Sequence, residues 1–203
     1  MRGLFDYDGP LTRFFGKVGD CVILSALWLA FSFPVITLGA SSTALYYAVN
    51  RILRQDYGGI WENFWGAFRS NFKQATVIWL VVLGAFSILG MSAYSAYLLL
   101  EAGKLPVIWL VLLAVIMALV LMWALYLFPC VARFQNSTVR ILKSCAVVAG
   151  INLLWSLALM GVFGLSIYLT LIMPVGLIVM PGAGMYAGSL ILEHVFRKYM
   201  DQA

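Results

Sequence analysis

Charged residues punctuate the chain at long intervals. Residues 21–50, 74–100, 105–132 and 144–192 contain no Asp, Glu, Lys or Arg, giving charge-free runs of 30, 27, 28 and 49 residues. A helix needs about 20 mostly apolar residues to cross a hydrocarbon core of roughly 30 Å. Such runs lack the alternating period of membrane barrel strands, and only helices or closed barrels satisfy every backbone polar group in lipid. The pattern predicts an all-α integral membrane protein with about six membrane segments: a short N-terminal helical hairpin over 18–50 and four full spans within 74–192. The longest piece between runs, 51–73, has 23 residues, too few for a separate soluble domain. Composition agrees, with 64% hydrophobic and 10% charged residues, against about half and a quarter in soluble domains.

Lys and Arg concentrate on the cytoplasmic side of membrane proteins. Here the basic residues fall at 2, 13 and 17; at 51, 54, 69 and 73; at 104; at 133, 140 and 143; and at 197 and 198. Placing the 133–143 cluster inside makes the 49-residue run go out, turn near Met173-Pro174 and return. If the first run also goes out and comes back, both termini face the cytoplasm and twelve of the 13 basic residues lie inside, Lys104 being the exception. Thirty helical residues reach only about 45 Å, whereas two crossings need about 60 Å. The first run is therefore read as a hairpin of two short spans or a re-entrant loop, broken around Pro34, Thr37, Gly39, Ala40 and Ser41. Proline removes a helical hydrogen bond there. Thr37, Gly39 and Ala40 have the small side chains of a signal-peptide cleavage site, but the leader carrying Asp6 and Asp8 and the spans downstream argue against cleavage.

Two flanking segments have interfacial character. Over 56–73, Trp61, Phe64, Trp65, Phe68 and Phe72 recur at helical spacing, with Arg69 and Lys73 on the polar remainder. This amphipathic helix either lies on the cytoplasmic leaflet or docks a partner protein through its aromatics and basic rim. Residues 1–17 repeat the design with a turn over 6–10 and Leu11, Phe14, Phe15 and Val18 three or four apart. A cytoplasmic tail, 193–203, carries Glu193, the only histidine, His194, and Arg197-Lys198.

Inside the bundle, Ala40/Ala44, Ala146/Gly150 and Gly184/Gly188 have small-xxx-small spacing, and Gly161 with Gly164 offers another thin face for helix packing. Pro181 and the glycines at 182 and 184 mark a kink or an unwound turn in the last span, a device transporters use to free backbone groups. Tyr46, Asn50, Asn152 and Pro181 are the candidate cavity residues. The spans hold essentially no ionisable side chain, which disfavours a proton-coupled or charged-substrate carrier. One His, no paired intramembrane carboxylates, no GxSxG and no HExxH leave no catalytic, cofactor or metal constellation. The three cysteines lack CxxC spacing. A pI near 9.2 reflects basic residues spread over several segments rather than a nucleic-acid patch.

Several motifs together carry a family likeness: Phe5-Asp6-Tyr7-Asp8-Gly9-Pro10-Leu11 with Arg13-Phe14, Lys17-Val18-Gly19-Asp20, Pro34-Val35-Ile36-Thr37-Leu38-Gly39-Ala40-Ser41 with Thr43-Ala44-Leu45-Tyr46, and Phe68 with Asn71-Phe72-Lys73-Gln74-Ala75. On these the chain resembles the YesL family of bacterial membrane proteins, a domain of unknown function. The specific part lies in the first 80 residues, and the later spans match mainly in hydropathy. The resemblance implies a role near carbohydrate uptake, because such proteins are often encoded beside binding-protein-dependent ABC importers and enzymes for plant oligosaccharides; it implies no catalytic residues. The expectation is a non-enzymatic accessory subunit in the bacterial cytoplasmic membrane. Its partners are the lipid bilayer, with ABC importer membrane subunits or further copies of the chain as candidates. The competing expectation is a small transporter or channel for a neutral solute.

Overall fold

The computed structural model describes residues 10–134, 136–173 and 176–200, with side chains from 15 to 197 within those ranges. Among them all regular structure is helical. The α-helices are α1 (Pro10–Ser32), α2 (Leu38–Val49), α3 (Ile60–Glu101), α4 (Ile108–Arg133), α5 (Thr138–Ile151), α6 (Leu153–Ile172) and α7 (Gly176–Met200). All but α2 and α5 are long and apolar enough to cross a membrane. The fold is the all-α integral-membrane bundle that the charge-free runs predict. Residues 6–9 of the turn expected over 6–10, the Phe5–Gly9 part of the family-like motif, Pro174 at the outer turn, the side chain of Lys198 and tail residues 201–203 lie outside the described residues.

The first run forms a hairpin with unequal limbs. α1 has 23 residues because it starts at Pro10, ahead of the charge-free run, where a first-turn proline loses no helical bond. Residues 10–17 are therefore continuous with the rest of α1 as its opening turns. α1 ends where Pro34 disfavours helical geometry in the residue before it. The Thr37 hydroxyl sits within hydrogen-bond distance of the carbonyls of Phe31 (2.6 Å) and Pro34 (2.7 Å), and the Pro34 carbonyl also accepts the Thr37 backbone N–H at 2.9 Å. A single 3-10 turn, Val35–Thr37, then leads into α2. α2 has 12 residues, about 18 Å at 1.5 Å per residue, well short of a crossing. It continues as a π-helical turn, Asn50–Arg54. Lys17 fastens the start of α1 to this turn, donating to the Leu53 carbonyl at 2.8 Å and pairing with Asp56 at 3.6 Å.

The amphipathic segment and the span after it are one helix. α3 runs 42 residues, about 63 Å, starting at Ile60 behind Asp56 (φ 49) and Gly58 (φ +82). Polarity changes near residue 74 but helix propensity does not: Asn71-Phe72-Lys73-Gln74-Ala75 has no glycine or proline to stop it. The 49-residue run breaks at Asn152, whose φ of −105 and ψ of 49 end α5. Residues 144–151 thus belong to α5. α7 stays helical through Pro181, so no unwound turn forms over 181–184; the backbone N–H of Gly182 donates instead to Ser25 Oγ of α1 at 2.8 Å.

α2 is the hub, touching α1, α3, α4 and α7, with ten of its residues buried. Ala40, Ala44 and Ala48, one turn apart, are completely buried. A Cβ on Gly39 would stand 2.6 Å from Trp79 Cβ and 2.7 Å from the Ala75 carbonyl oxygen, so glycine sets how closely α2 approaches α3. Gly184 and Gly188 play the same part between α7 and α6, facing Ser166 and Phe163. The other small residues do not pack in this way: Gly150, Gly161 and Gly164 face open space and Ala146 is exposed.

Candidate functional site

The expected hairpin motif is mostly internal. Gly39, Ala40 and Ser41 are buried while Pro34 is exposed, and Ser41 Oγ lies 2.5 Å from Ser32 Oγ, closing the hairpin. Trp28 reinforces it by donating from Nε1 to Ser42 Oγ at 3.1 Å, and Trp79 Nε1 donates to the Val35 carbonyl at 2.7 Å. These residues hold α1 and α2 against α3.

Hairpin and α3 share an aromatic cluster. The Phe31 ring lies 5.1–6.2 Å from the rings of Trp61, Phe64, Trp65 and Phe68. Of the seven residues expected to contact a partner, Phe64 and Phe68 are turned into the core. Trp61, Trp65 and Phe72 remain 54%, 38% and 37% exposed, with Arg69 and Lys73 exposed beside them. The two indoles stack, with centroids 5.8 Å apart and planes within 6°. The buried phenylalanines thus brace an exposed tryptophan pair, a large rigid apolar surface that costs little side-chain entropy to order.

The other face of the same half of α3 lines a cleft of about 840 Å³ that sequence reading missed. Glu62, Asn63, Ser70, Asn71 and Gln74 form one wall, and Arg133, Asn136 and Arg140 the other. Gln74 Nε2 donates to the Asn136 carbonyl at 2.7 Å, which bridges the walls, and Arg140 donates to Asn136 Oδ1 at 3.1 Å within its own wall. The signal was present as Glu62, Ser70 and Gln74 and as Asn63 and Asn71, polar positions at helical spacing with only the small Gly66 and Ala67 between them. Nothing in the sequence showed that the end of α4 faces them.

The four candidate cavity residues are not gathered in one place. Tyr46 and Asn50 join a polar network at the end of α2: Tyr46 Oη donates to Glu193 Oε1 at 2.8 Å, and Arg133 pairs with the same oxygen at 2.6 Å. Arg54 donates to Asn50 Oδ1 at 3.1 Å and to the Ser189 carbonyl at 3.3 Å. Glu193, expected in a solvated tail, is therefore an interior tie between α2, α4 and α7, its side chain only 12% exposed. Asn152 bonds to the Val148 carbonyl at the α5–α6 break. Pro181 lines a separate apolar cavity of about 570 Å³. His194 packs on Trp155, ring to ring at 4.8 Å.

Comparison with known proteins singles out the same part of the chain. No curated protein and no solved structure matches it. Residues 21–93 match the family described as "Protein of unknown function, DUF624", a stretch running from the middle of α1 through α2 to about four fifths of the way along α3, so the likeness covers most of the hairpin and the aromatic cluster that braces it.

Proposed function

We propose that the protein is a non-enzymatic subunit of the bacterial cytoplasmic membrane that attaches to the membrane subunits of an ABC importer for oligosaccharides, with both termini and the start of α3 in the cytoplasm. The observation that carries the reading is the exposed Trp61–Trp65 stack with Phe72, Arg69 and Lys73, backed by Phe31, Phe64 and Phe68. Interface hot spots have this composition, aromatics and arginine fixed on a packed support. Placement of the basic residues supports the orientation, and the YesL likeness supports the kind of partner. A stand-alone carrier of neutral solutes draws less support, since Tyr46 and Asn50 are bonded within the bundle and the one apolar cavity described offers few polar groups to a sugar.

The test uses Trp61→Ser and Trp65→Ser together, with Phe72→Ser as a further variant; Phe64 and Phe68 are left intact because their loss would open the core. Importer membrane subunits should co-purify with the wild-type protein and fall at least tenfold with the double variant, while expression and thermal unfolding stay unchanged. Undiminished co-purification contradicts the proposal, as does uptake of a neutral sugar into liposomes containing this protein alone.

A further inference from the structure

The apolar cavity has a composition and a location of its own. The pairs α3–α4 and α6–α7 pack within themselves and meet chiefly across α2, leaving a space whose floor is α2, with Leu38, Ser42 and Leu45. Its inner wall includes Leu45, Val82, Ala124 and Met185, all at most 8% exposed. Its mouth is formed by Leu121, Ile167, Leu171 and Leu177, which are 39–77% exposed on helices long and apolar enough to cross a membrane. The cavity therefore opens into hydrocarbon rather than water.

The few polar groups on its wall are already engaged. Ser42 Oγ accepts the Trp28 indole N–H. Ser166 and Thr170 donate to the carbonyls of Val162 and Ser166, and the Trp79 indole donates to Val35. A sugar placed here would lose its hydrogen bonds to water and regain few. A hydrocarbon chain has no hydrogen bonds to lose, and would restore the dispersion contacts that an empty space of this size denies its lining. At about 570 Å³ the space falls in the range of small-molecule sites. Met180 and Met185, both lining residues, supply flexible, polarisable surface suited to a chain without fixed shape.

We infer that this cavity is a binding site for one acyl chain of a membrane phospholipid, entering from the bilayer between α4 and α6. The inference does not depend on the partner proposed above.

The full-length protein, reconstituted in phosphatidylcholine vesicles doped with a phosphatidylcholine bearing a diazirine near the end of one chain, is irradiated and the adducts are mapped by mass spectrometry. Adducts are expected on Leu45, Val82 and Met185, which lipid bathing the outside of the bundle does not reach. Ala124→Phe, which puts a ring into the space where the chain would lie, should lower these at least fivefold and leave adducts on outward-facing Leu165 unchanged. Adducts confined to outward residues such as Val111 and Leu165 would overturn the inference. So would interior labelling suppressed by a water-soluble disaccharide but not by unlabelled lipid. Should Ala124→Phe fail to fold, the wild-type map decides alone.

Discussion

Gly39 shows what one hydrogen atom in place of a methyl does in this fold. Its missing Cβ lets the Ala75 carbonyl and the Trp79 side chain come within van der Waals reach of the α2 backbone, and membrane helices rely on such closeness because no hydrophobic force drives them together in lipid. Gly39→Ala should lower stability by about 1–3 kcal/mol, the usual cost of overpacking, read as a lower unfolding temperature in detergent. Gly164→Ala, facing open space, should be neutral or raise stability by up to about 1 kcal/mol through helix propensity. Equal effects at the two positions would contradict the packing assigned to Gly39. The hairpin residues were legible in sequence because proline, glycine and hydroxyl side chains act on their nearest neighbours. The Tyr46–Glu193–Arg133 tie was not, because its members lie 60 and 147 positions apart and local pattern carries no information on such pairings. Charge alone placed Glu193 in a solvated tail, whereas two donors aimed at one carboxylate oxygen hold it inside.

Elements were legible in kind and less so in extent. A charge-free run measures the apolar part of a helix, not the helix, and α1 and α3 both extend past their runs into charged sequence, by 11 residues at the start of α1 and 14 at the start of α3. Charges at helix ends do not stop helices; proline and its predecessor do, as at Phe33-Pro34. Asn152 did what a break signal does, its side chain competing for a carbonyl one turn back in the way that makes asparagine unfavourable inside helices. The continuity of α3 sets a distance that can be measured. Spin labels on Glu62→Cys and Tyr94→Cys, with the three native cysteines replaced, should be about 48 Å apart at 1.5 Å per residue. A connector lying across the span up to residue 74 would instead give about 35 Å by the same rise. The continuous helix matters for function because it makes Trp61 and Trp65 part of a rigid rod rooted in the bundle, not side chains on a floating linker.

At the scale of the molecule, an unequal hairpin is clasped by longer helices, and its short limb α2 is the most buried element. Hydropathy made the class legible, since an all-helical membrane bundle follows from four charge-free runs. The cleft between α3 and the end of α4, and the cavity above α2, come from tertiary arrangement and had no sequence signature beyond the polar rows of α3. The same arrangement separates the two roles proposed for the protein: the exposed aromatic edge of α3 for a protein partner, and a hydrocarbon-lined space for a lipid chain. The central claim concerns the first. Its most direct test places a photoreactive amino acid at position 61 or 65, and as control at lipid-facing Ile88, in cells expressing the importer and growing on an oligosaccharide. The account predicts that irradiation at 61 and 65 yields a covalent adduct with an importer membrane subunit and that irradiation at 88 does not. Adducts with lipid alone at 61 and 65 would contradict it, reducing the tryptophan pair to a membrane anchor.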